Sequence, residues 1–211
     1  MKSTLQVVTE PAYEPVSRAE AKRWLRIDAG DTNHDLTVDM LVRAMREDAE
    51  NITARAFISR QLRLTLSDWP QDAWYGHKIV LPFPPLQSVD SFQYVDTDGE
   101  TQTLATTEYV VHTEYEPGII IPAWDVVWPT IRRVPNAVQI LFTAGYAPGS
   151  PSDEASNQEV MPAKLRLWME SKMSTHNEFR EQIIAGTIVE KIPRDFTDGL
   201  LDSLIIGSRL F

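Results

Sequence analysis

The middle of the chain decides its fold: residues 81–100 read LPFPPLQSVDSFQYVDTDGE, residues 108–124 read EYVVHTEYEPGIIIPAW, and residues 128–146 read WPTIRRVPNAVQILFTAGY. Apolar and polar residues alternate there in short runs, which Pro, Asp-Gly and Gly separate. This pattern is typical of half-buried antiparallel strands joined by turns. The stretch contains no catalytic constellation, so it indicates a part of an assembly and not an enzyme.

Alternation and turn residues place the individual strands. The predicted strands are residues 61–67, 78–81, 89–95, 102–104, 109–113, 118–121 and 137–142. The Asp-Thr-Asp-Gly sequence at 96–99 predicts a hairpin turn. Because proline cannot donate a hydrogen bond to a sheet, Pro82, Pro84 and Pro85 predict an edge strand or a crossing nearby.

Helical patterns flank this β-rich middle on both sides. Ser17 and Glu20 form a capping-box sequence, which predicts a helix that runs to about Arg26. A longer helix is predicted at about residues 35–55, with an apolar stripe through positions 41, 44, 45, 52 and 56. A third helix is predicted from Pro162, and a short last one at about 196–206.

This order predicts an α+β fold. Long helices from the N- and C-terminal thirds form a helical core, and the middle forms an antiparallel β-rich insert. The predicted parts are the N-terminal helical part of the core with the first strand at 1–67, the insert at 68–146, a polar linker at 147–161, and the C-terminal helical part with a docking tail at 162–211. The side chains predicted to be buried in the helical core are Trp24, Leu41, Met45, Ile52, Trp168 and Met173.

The net charge of −10 is distributed unevenly. Residues 1–67 hold ten basic and ten acidic side chains, residues 68–125 hold one basic and ten acidic, and residues 126–211 hold nine basic and ten acidic. The acidity therefore lies in the middle of the chain. Binding that reads a DNA groove is disfavoured, because phosphate contacts need a basic stripe.

Several chemistries are excluded or disfavoured by composition. The chain has no cysteine, which excludes disulfides and thiolate metal sites. No apolar run approaches the roughly 20 residues that span a bilayer, and the N-terminus does not read as a signal peptide. None of the four histidines has a zinc-enzyme spacing, and no glycine-rich phosphate loop occurs. No metal, no cofactor and no membrane partner are therefore expected.

The β-rich middle leaves one enzymatic alternative open: a carbohydrate-active enzyme or binding module. Paired carboxylates hydrolyse glycosidic bonds, and tryptophans stack on sugars. The residues of this alternative are Glu108, Glu114, Glu116 and Asp125, with Trp124 and Trp128.

Two further features are candidates for contacts with partners. Arg132 and Arg133 form a basic pair between two prolines, and we consider them for contact with DNA or with an acidic partner. The C-terminus ends as LLDSLIIGSRLF, which is more apolar than a solvated chain end requires. The residues assigned to a portal or subunit interface are Leu200, Leu201, Leu204, Ile205, Leu210 and Phe211.

The order of several short motifs resembles a known family. They are SRAEAKRWLRID at 17–28, LPFPPLQSV at 81–89, YVDTDG at 94–99, EPGII at 116–120, WP at 128–129, PNAVQILFTAGY at 135–146, and a PAKL helix start at 162. Together they cover nearly the whole chain. The chain resembles the head-tail connector, or adaptor, proteins of tailed bacteriophages and prophages.

This resemblance implies a non-enzymatic structural protein of the virion neck, made in the host bacterial cytoplasm. It implies a homo-oligomeric ring, a dodecamer in the family, that sits below the portal protein and meets the next neck or tail protein. Packaged double-stranded DNA passes through the lumen of such a ring. A ring needs two unlike faces on each subunit, because head-to-tail contacts are heterologous.

Overall fold

The computed structural model describes residues 2–70, 78–146, 161–178 and 198–206. The predicted polar linker lies outside the described residues, apart from Met161. The chain divides into two compact units. The sheet unit comprises Met1–Ala12 and Ile58–Gly149, and the helical unit comprises Tyr13–Phe57 and Ser150–Phe211.

The sheet unit contains two antiparallel sheets. Its described strands are β1 (Ser3–Thr9), β2 (Arg60–Leu66), β3 (Ile79–Leu81), β4 (Leu86–Val95), β5 (Thr101–Thr103), β6 (Tyr109–His112), β7 (Gly118–Pro122) and β8 (Val138–Ala144). The larger sheet has the order β1-β2-β8-β4-β5, and the smaller one has the order β3-β7-β6. The predicted strands and the predicted hairpin at 96–99 are present, and β3 lies at a sheet edge, as the prolines after it indicate.

The core of the sheet unit follows the alternation of the strands. In β8, Val138, Ile140, Phe142 and Ala144 are buried, whereas the residues between them are half-buried. The two sheets pack together where the rings of Phe92 (β4) and Tyr109 (β6) lie 5.2 Å apart. Close packing recurs at Gly118, where an added Cβ would lie 2.6 Å from the Leu86 Cδ2 atom.

The predicted fold, a helical core with a β-rich insert, is wrong. The described structure is mostly antiparallel sheet with three helices, and no long N- and C-terminal helices form a helical core. Strands β1 and β2 precede the supposed insert, yet β2 pairs with β8 along its whole length, from Arg60–Ala144 to Leu66–Val138. Local patterns identify strands but not their partners, and here the pairing joins distant parts of the chain into one sheet.

The described residues of the helical unit form three helices: α1 (Arg18–Trp24), α2 (Asp35–Thr53) and α3 (Ala163–Glu178). The predicted capping box is present, since the Glu20 N–H donates to the Ser17 hydroxyl and the Ser17 N–H donates to the Glu20 carboxylate. The predicted last helix is absent from the described residues. Two short 3₁₀ turns, Asp198–Leu200 and Asp202–Leu204, lie there instead.

The burial prediction for the helical unit is partly wrong. Trp168 and Met173 are buried as expected, but Trp24 is 45% exposed and Ile52 is 49% exposed, while Leu41 and Met45 are only half-buried. Helix α2 turns a different face inward from the predicted stripe. The buried residues of that face are Val38, Val42, Arg46, Ala49, Glu50 and Thr53.

A buried ionic network explains the orientation of α2. The Arg46 side chain is 2% exposed, and it donates to Glu14 at 2.7 Å and to Glu50 at 2.8 Å. Glu50 also accepts the backbone N–H of Phe57 at 3.1 Å. Charged residues are seldom buried unless they are paired. Hydrophobic patterning alone therefore predicts that Arg46 and Glu50 lie on the exposed face of α2, which is wrong.

Candidate assembly surfaces

The sheet unit presents an exposed apolar turn, which we call the Trp124 turn (residues 123–127). Trp124 is 97% exposed and Val127 is 80% exposed. Asp125, between them, has a left-handed backbone conformation with φ of 61°. An exposed tryptophan of this kind is unusual on a solvated surface and is typical of a contact with another molecule.

The Trp124 turn is held on both sides. On its N-terminal side, the Ala123 N–H donates to the carbonyl of Glu108 at 2.9 Å, and the Val126 N–H donates to the carbonyl of Ala123 at 3.0 Å. On its C-terminal side, Trp128 is buried and stacks on Trp69, with ring centroids 5.0 Å apart. A turn that is fixed in this way loses little conformational entropy when it binds.

The helical unit has a cavity of about 570 Å³ between α1 and α3. We call it the α1–α3 cavity, and its lining includes Arg23, Trp24, Leu25, Arg26, Glu170 and Ser174. Arg23 and Arg26 are exposed, and nearly half of the Trp24 surface faces solvent. The cavity therefore combines an apolar wall with two cations at the end of α1.

The carboxylates of the α1–α3 cavity are engaged inside the unit. Glu20 accepts a hydrogen bond from Arg166 at 2.5 Å. Burial is the largest influence on Glu170 and raises its pKa, while a hydrogen bond from Trp24 acts in the opposite direction. The charges that face outward from the cavity are thus mainly those of Arg23 and Arg26.

Helix α2 carries a second exposed apolar surface. Leu36 is 79% exposed and Met40 is 71% exposed. They lie one turn apart, so they form a small patch.

The structure places Arg132 and Arg133 against other parts of their own unit. The Arg133 Nε lies 3.2 Å from the Asp68 carboxylate, and Arg133 is exposed. The Arg132 guanidinium lies over the 96–99 turn, because a Cβ added at Gly99 would be 2.8 Å from it. The two guanidinium groups have different neighbours. A contact with DNA or an acidic partner at this pair stays a prediction.

The described part of the C-terminal tail contacts its own helical unit. Leu201 is buried, Leu200 and Leu204 are half-buried, and Ile205 is 43% exposed. Arg55 donates to the Leu204 carbonyl at 2.6 Å, and the Ile206 N–H donates to the Thr53 carbonyl at 3.1 Å. Leu210 and Phe211 lie outside the described residues. The docking role of this tail stays a prediction.

The structure removes one residue from the carbohydrate alternative. Trp128 is buried against Trp69 and Phe92, so its faces are not open to a sugar. Glu114 lies 2.7 Å from the His112 Nδ1 atom on the surface of the small sheet. A carbohydrate site at the remaining residues stays a prediction.

The described ranges contain neither a cluster of metal-ligating side chains nor a membrane-spanning helix. Within residues 2–70, 78–146, 161–178 and 198–206, no three His, Asp or Glu side chains are grouped to hold a metal ion. The helices of these ranges include none with the length and apolar character needed to cross a bilayer.

Sequence reasoning missed two features of these surfaces. The sequence predicts that Trp24 is a core residue and does not indicate that Arg23 and Arg26 line a cavity beside it. The reason is that the pattern of the short helix α1 does not show how this helix packs against α3. Trp124 was identified only as a sugar-stacking candidate. The available signal was its position between Pro122 and the left-handed Asp125, in a segment that departs from strand alternation.

Comparison with known proteins gives structural likenesses alone. No family model matches the chain, and no curated protein matches it significantly. Among the solved structures that match, three do so over 97% of this chain and 96% of the matched chain. They are the neck of an empty GTA particle computed with C6 symmetry (TM-score 0.73, 22% identity), the virion of a native gene transfer agent particle (0.71, 24%), and the neck of a native GTA particle computed with C12 symmetry (0.67, 23%). The chain therefore has the fold of a protein found in these gene transfer agent particles.

Proposed function

We propose that the chain is a structural subunit of the neck of a tailed phage or phage-like particle. In this role it forms a ring below the portal protein, and DNA passes through the lumen of the ring. The observation that carries the proposal is the likeness of fold over nearly the full length of both chains to proteins in structures titled as particle necks. The order of motifs along the sequence supports the same role independently.

The surface chemistry of the chain suits a ring subunit. A closed ring requires two different faces on each copy. The exposed apolar turn of the sheet unit and the cationic cavity of the helical unit are two such unlike surfaces. The symmetry orders given for the two neck structures, six and twelve, are those of closed rings.

The charge of the chain is compatible with passage of DNA. The net charge is −10, and Arg133 of the basic pair lies beside the Asp68 carboxylate. Each phosphate contact with a cation would add affinity and slow the movement of DNA. We therefore expect a lumen that repels or ignores DNA, together with binding partners that are proteins.

Co-expression with the portal protein of the same genome tests the proposal. The expected result is a complex that purifies as one species and shows a closed ring on the portal in negative-stain images. The matched control is the same chain expressed without the portal protein. If the full chain elutes as a monomer and the portal stays bare in the images, the proposal is wrong.

A further inference from the structure

We infer that the Trp124 turn of one copy docks into the α1–α3 cavity of a second copy. This inference rests on the proposed ring, and it assigns the heterologous contact that closes the ring. The two surfaces are complementary in shape, in apolar character and in charge.

The shapes of the two surfaces correspond. Trp124 protrudes on a braced turn, and its side chain is almost fully exposed. The α1–α3 cavity of about 570 Å³ is within the range of roughly 300–1,000 Å³ that accommodates small ligand groups. One indole ring can enter such a cavity and leave room for part of Val127 at its mouth.

The apolar contacts also correspond. Trp24 and Leu25 supply an aromatic and an aliphatic wall in the cavity. Aromatic pairs in an offset or edge-to-face arrangement stabilise an interface beyond the area that they bury. Insertion of Trp124 would cover the exposed surface of Trp24, so both tryptophans would leave water in one contact.

The charges around the two surfaces are complementary. Asp125 adjoins Trp124 in the chain, and Glu108 binds the same turn through its carbonyl; both are exposed. Arg23 and Arg26 line the cavity and are exposed. An acidic rim on the turn thus meets a basic rim on the cavity. Such complementarity selects one orientation of binding and favours the correct partner.

Charge disfavours pairing of like with like. Two Trp124 turns would bring Asp125 and Glu108 of each copy together, and two cavities would bring the arginines together. A row of copies joined by turn-to-cavity contacts always has one free turn at one end and one free cavity at the other. The contacts therefore propagate around a ring until the last copy meets the first.

Assembly on the portal, measured as in the experiment above, tests this contact with single substitutions. Trp124→Ala is expected to weaken ring assembly by at least roughly tenfold, the size expected for an interface hot spot. Tyr115→Ala is the matched control, because Tyr115 is a 54% exposed aromatic residue of the same unit. Thermal melting of each variant checks that the exposed side chain is not required for folding.

A charge exchange provides the sharper test. Glu108→Arg and Arg23→Glu are each expected to abolish assembly alone, because each creates a like-charge contact. An equal mixture of the two variants should assemble again, since alternating copies restore every pair in a ring with an even number of subunits. This readout does not depend on Trp124, so it keeps the inference testable if Trp124→Ala fails to fold.

The outcomes separate the two proposals. If the unmodified chain forms no ring on the portal, both the neck role and this contact are wrong. If rings form normally from Trp124→Ala chains, or the mixture fails to assemble, the neck role stands and this contact is wrong. If Trp124→Ala rings form but no longer bind the next neck protein, the turn faces that protein and the inferred contact between copies is overturned.

Discussion

The two units of the chain build their cores in different ways. The sheet unit is held by apolar and aromatic side chains that alternate along the strands, as in β8 and around Phe92. The helical unit contains a buried ionic network of Arg46, Glu14 and Glu50 beside its apolar residues. The alternation of apolar and polar residues thus identifies the buried face of a strand reliably. In a helix, a buried ion pair can make the sequence pattern indicate the wrong face as the buried one.

The largest expected effect tests the ionic network. Arg46→Ala leaves Glu50, whose side chain is 4% exposed, without its main cation. Removing one partner of a buried pair typically costs about 3–5 kcal/mol, and we expect that loss in the free energy of unfolding in urea. Arg43→Ala on the same helix is the control, because Arg43 is 69% exposed and should lose less than about 1 kcal/mol. Equal losses for both variants would show that the network contributes no more than a surface pair.

The corresponding variant of the sheet unit is Phe92→Ala. Phe92 is 1% exposed and contacts Trp69, Tyr109 and Trp128. Truncating a buried phenylalanine costs about 3–5 kcal/mol through lost burial and a residual cavity. Near-ultraviolet circular dichroism, which reports the tryptophan environment, should change with the stability. A loss below about 1 kcal/mol would contradict the role of Phe92 as the contact between the two sheets.

A smaller effect is expected at Gly118. A Cβ there would lie 2.6–2.7 Å from atoms of the buried Leu86 side chain. Gly118→Ala should therefore destabilise the sheet unit by about 1–3 kcal/mol, the usual effect of overpacking. Gly199→Ala is the control, since its added Cβ would meet only an ordinary contact at 3.9 Å. Unfolding in urea distinguishes the two, and equal stability would show that the sheets can separate locally without cost.

The smallest expected effects concern pH, and they have opposite signs at two carboxylates of the helical unit. A hydrogen bond from Lys22 is the largest influence on Asp35 and lowers the pKa of its carboxyl group in the folded state. The stability that Asp35 adds is therefore present above its pKa in the unfolded chain, and it is lost as the pH falls through its pKa in the folded chain. Burial raises the pKa of Glu170 in the folded state. The stability that Glu170 adds is therefore present below its pKa in the unfolded chain, and it is lost as the pH rises through its pKa in the folded chain.

Amide variants test these signs. Asp35→Asn should remove stability at neutral pH and have little effect in acid. Glu170→Gln should become more favourable relative to the parent chain as pH rises. Melting temperatures measured from about pH 3 to pH 7 report both trends, and parallel curves for the two variants would contradict the assigned directions.

Much of the fold was accessible from local sequence, and the failures have physical causes. The capping box at Ser17 and the 96–99 hairpin depend on interactions within a few residues, so their patterns predicted them correctly. The pairing of β2 with β8 joins residues far apart in the chain, and no local pattern specifies it. The same limitation produced the incorrect helical core.

The candidate surfaces were less accessible for a related reason. Trp24 appeared to be a core residue because it is large and apolar, yet it lines a cavity whose other wall comes from α3. The burial of Arg46 in helix α2 depends on its pairing with the carboxylates of Glu14 and Glu50. Surfaces of this kind are determined by tertiary contacts and not by composition.

The most direct test of the account is a cryo-electron microscopy reconstruction of the neck of particles made by cells that carry this gene. The account predicts a ring next to the portal, with an even number of copies and with density that fits the sheet unit and the helical unit of this chain. A neck in which every ring is occupied by other proteins, with this chain absent from purified particles by mass spectrometry, would contradict it.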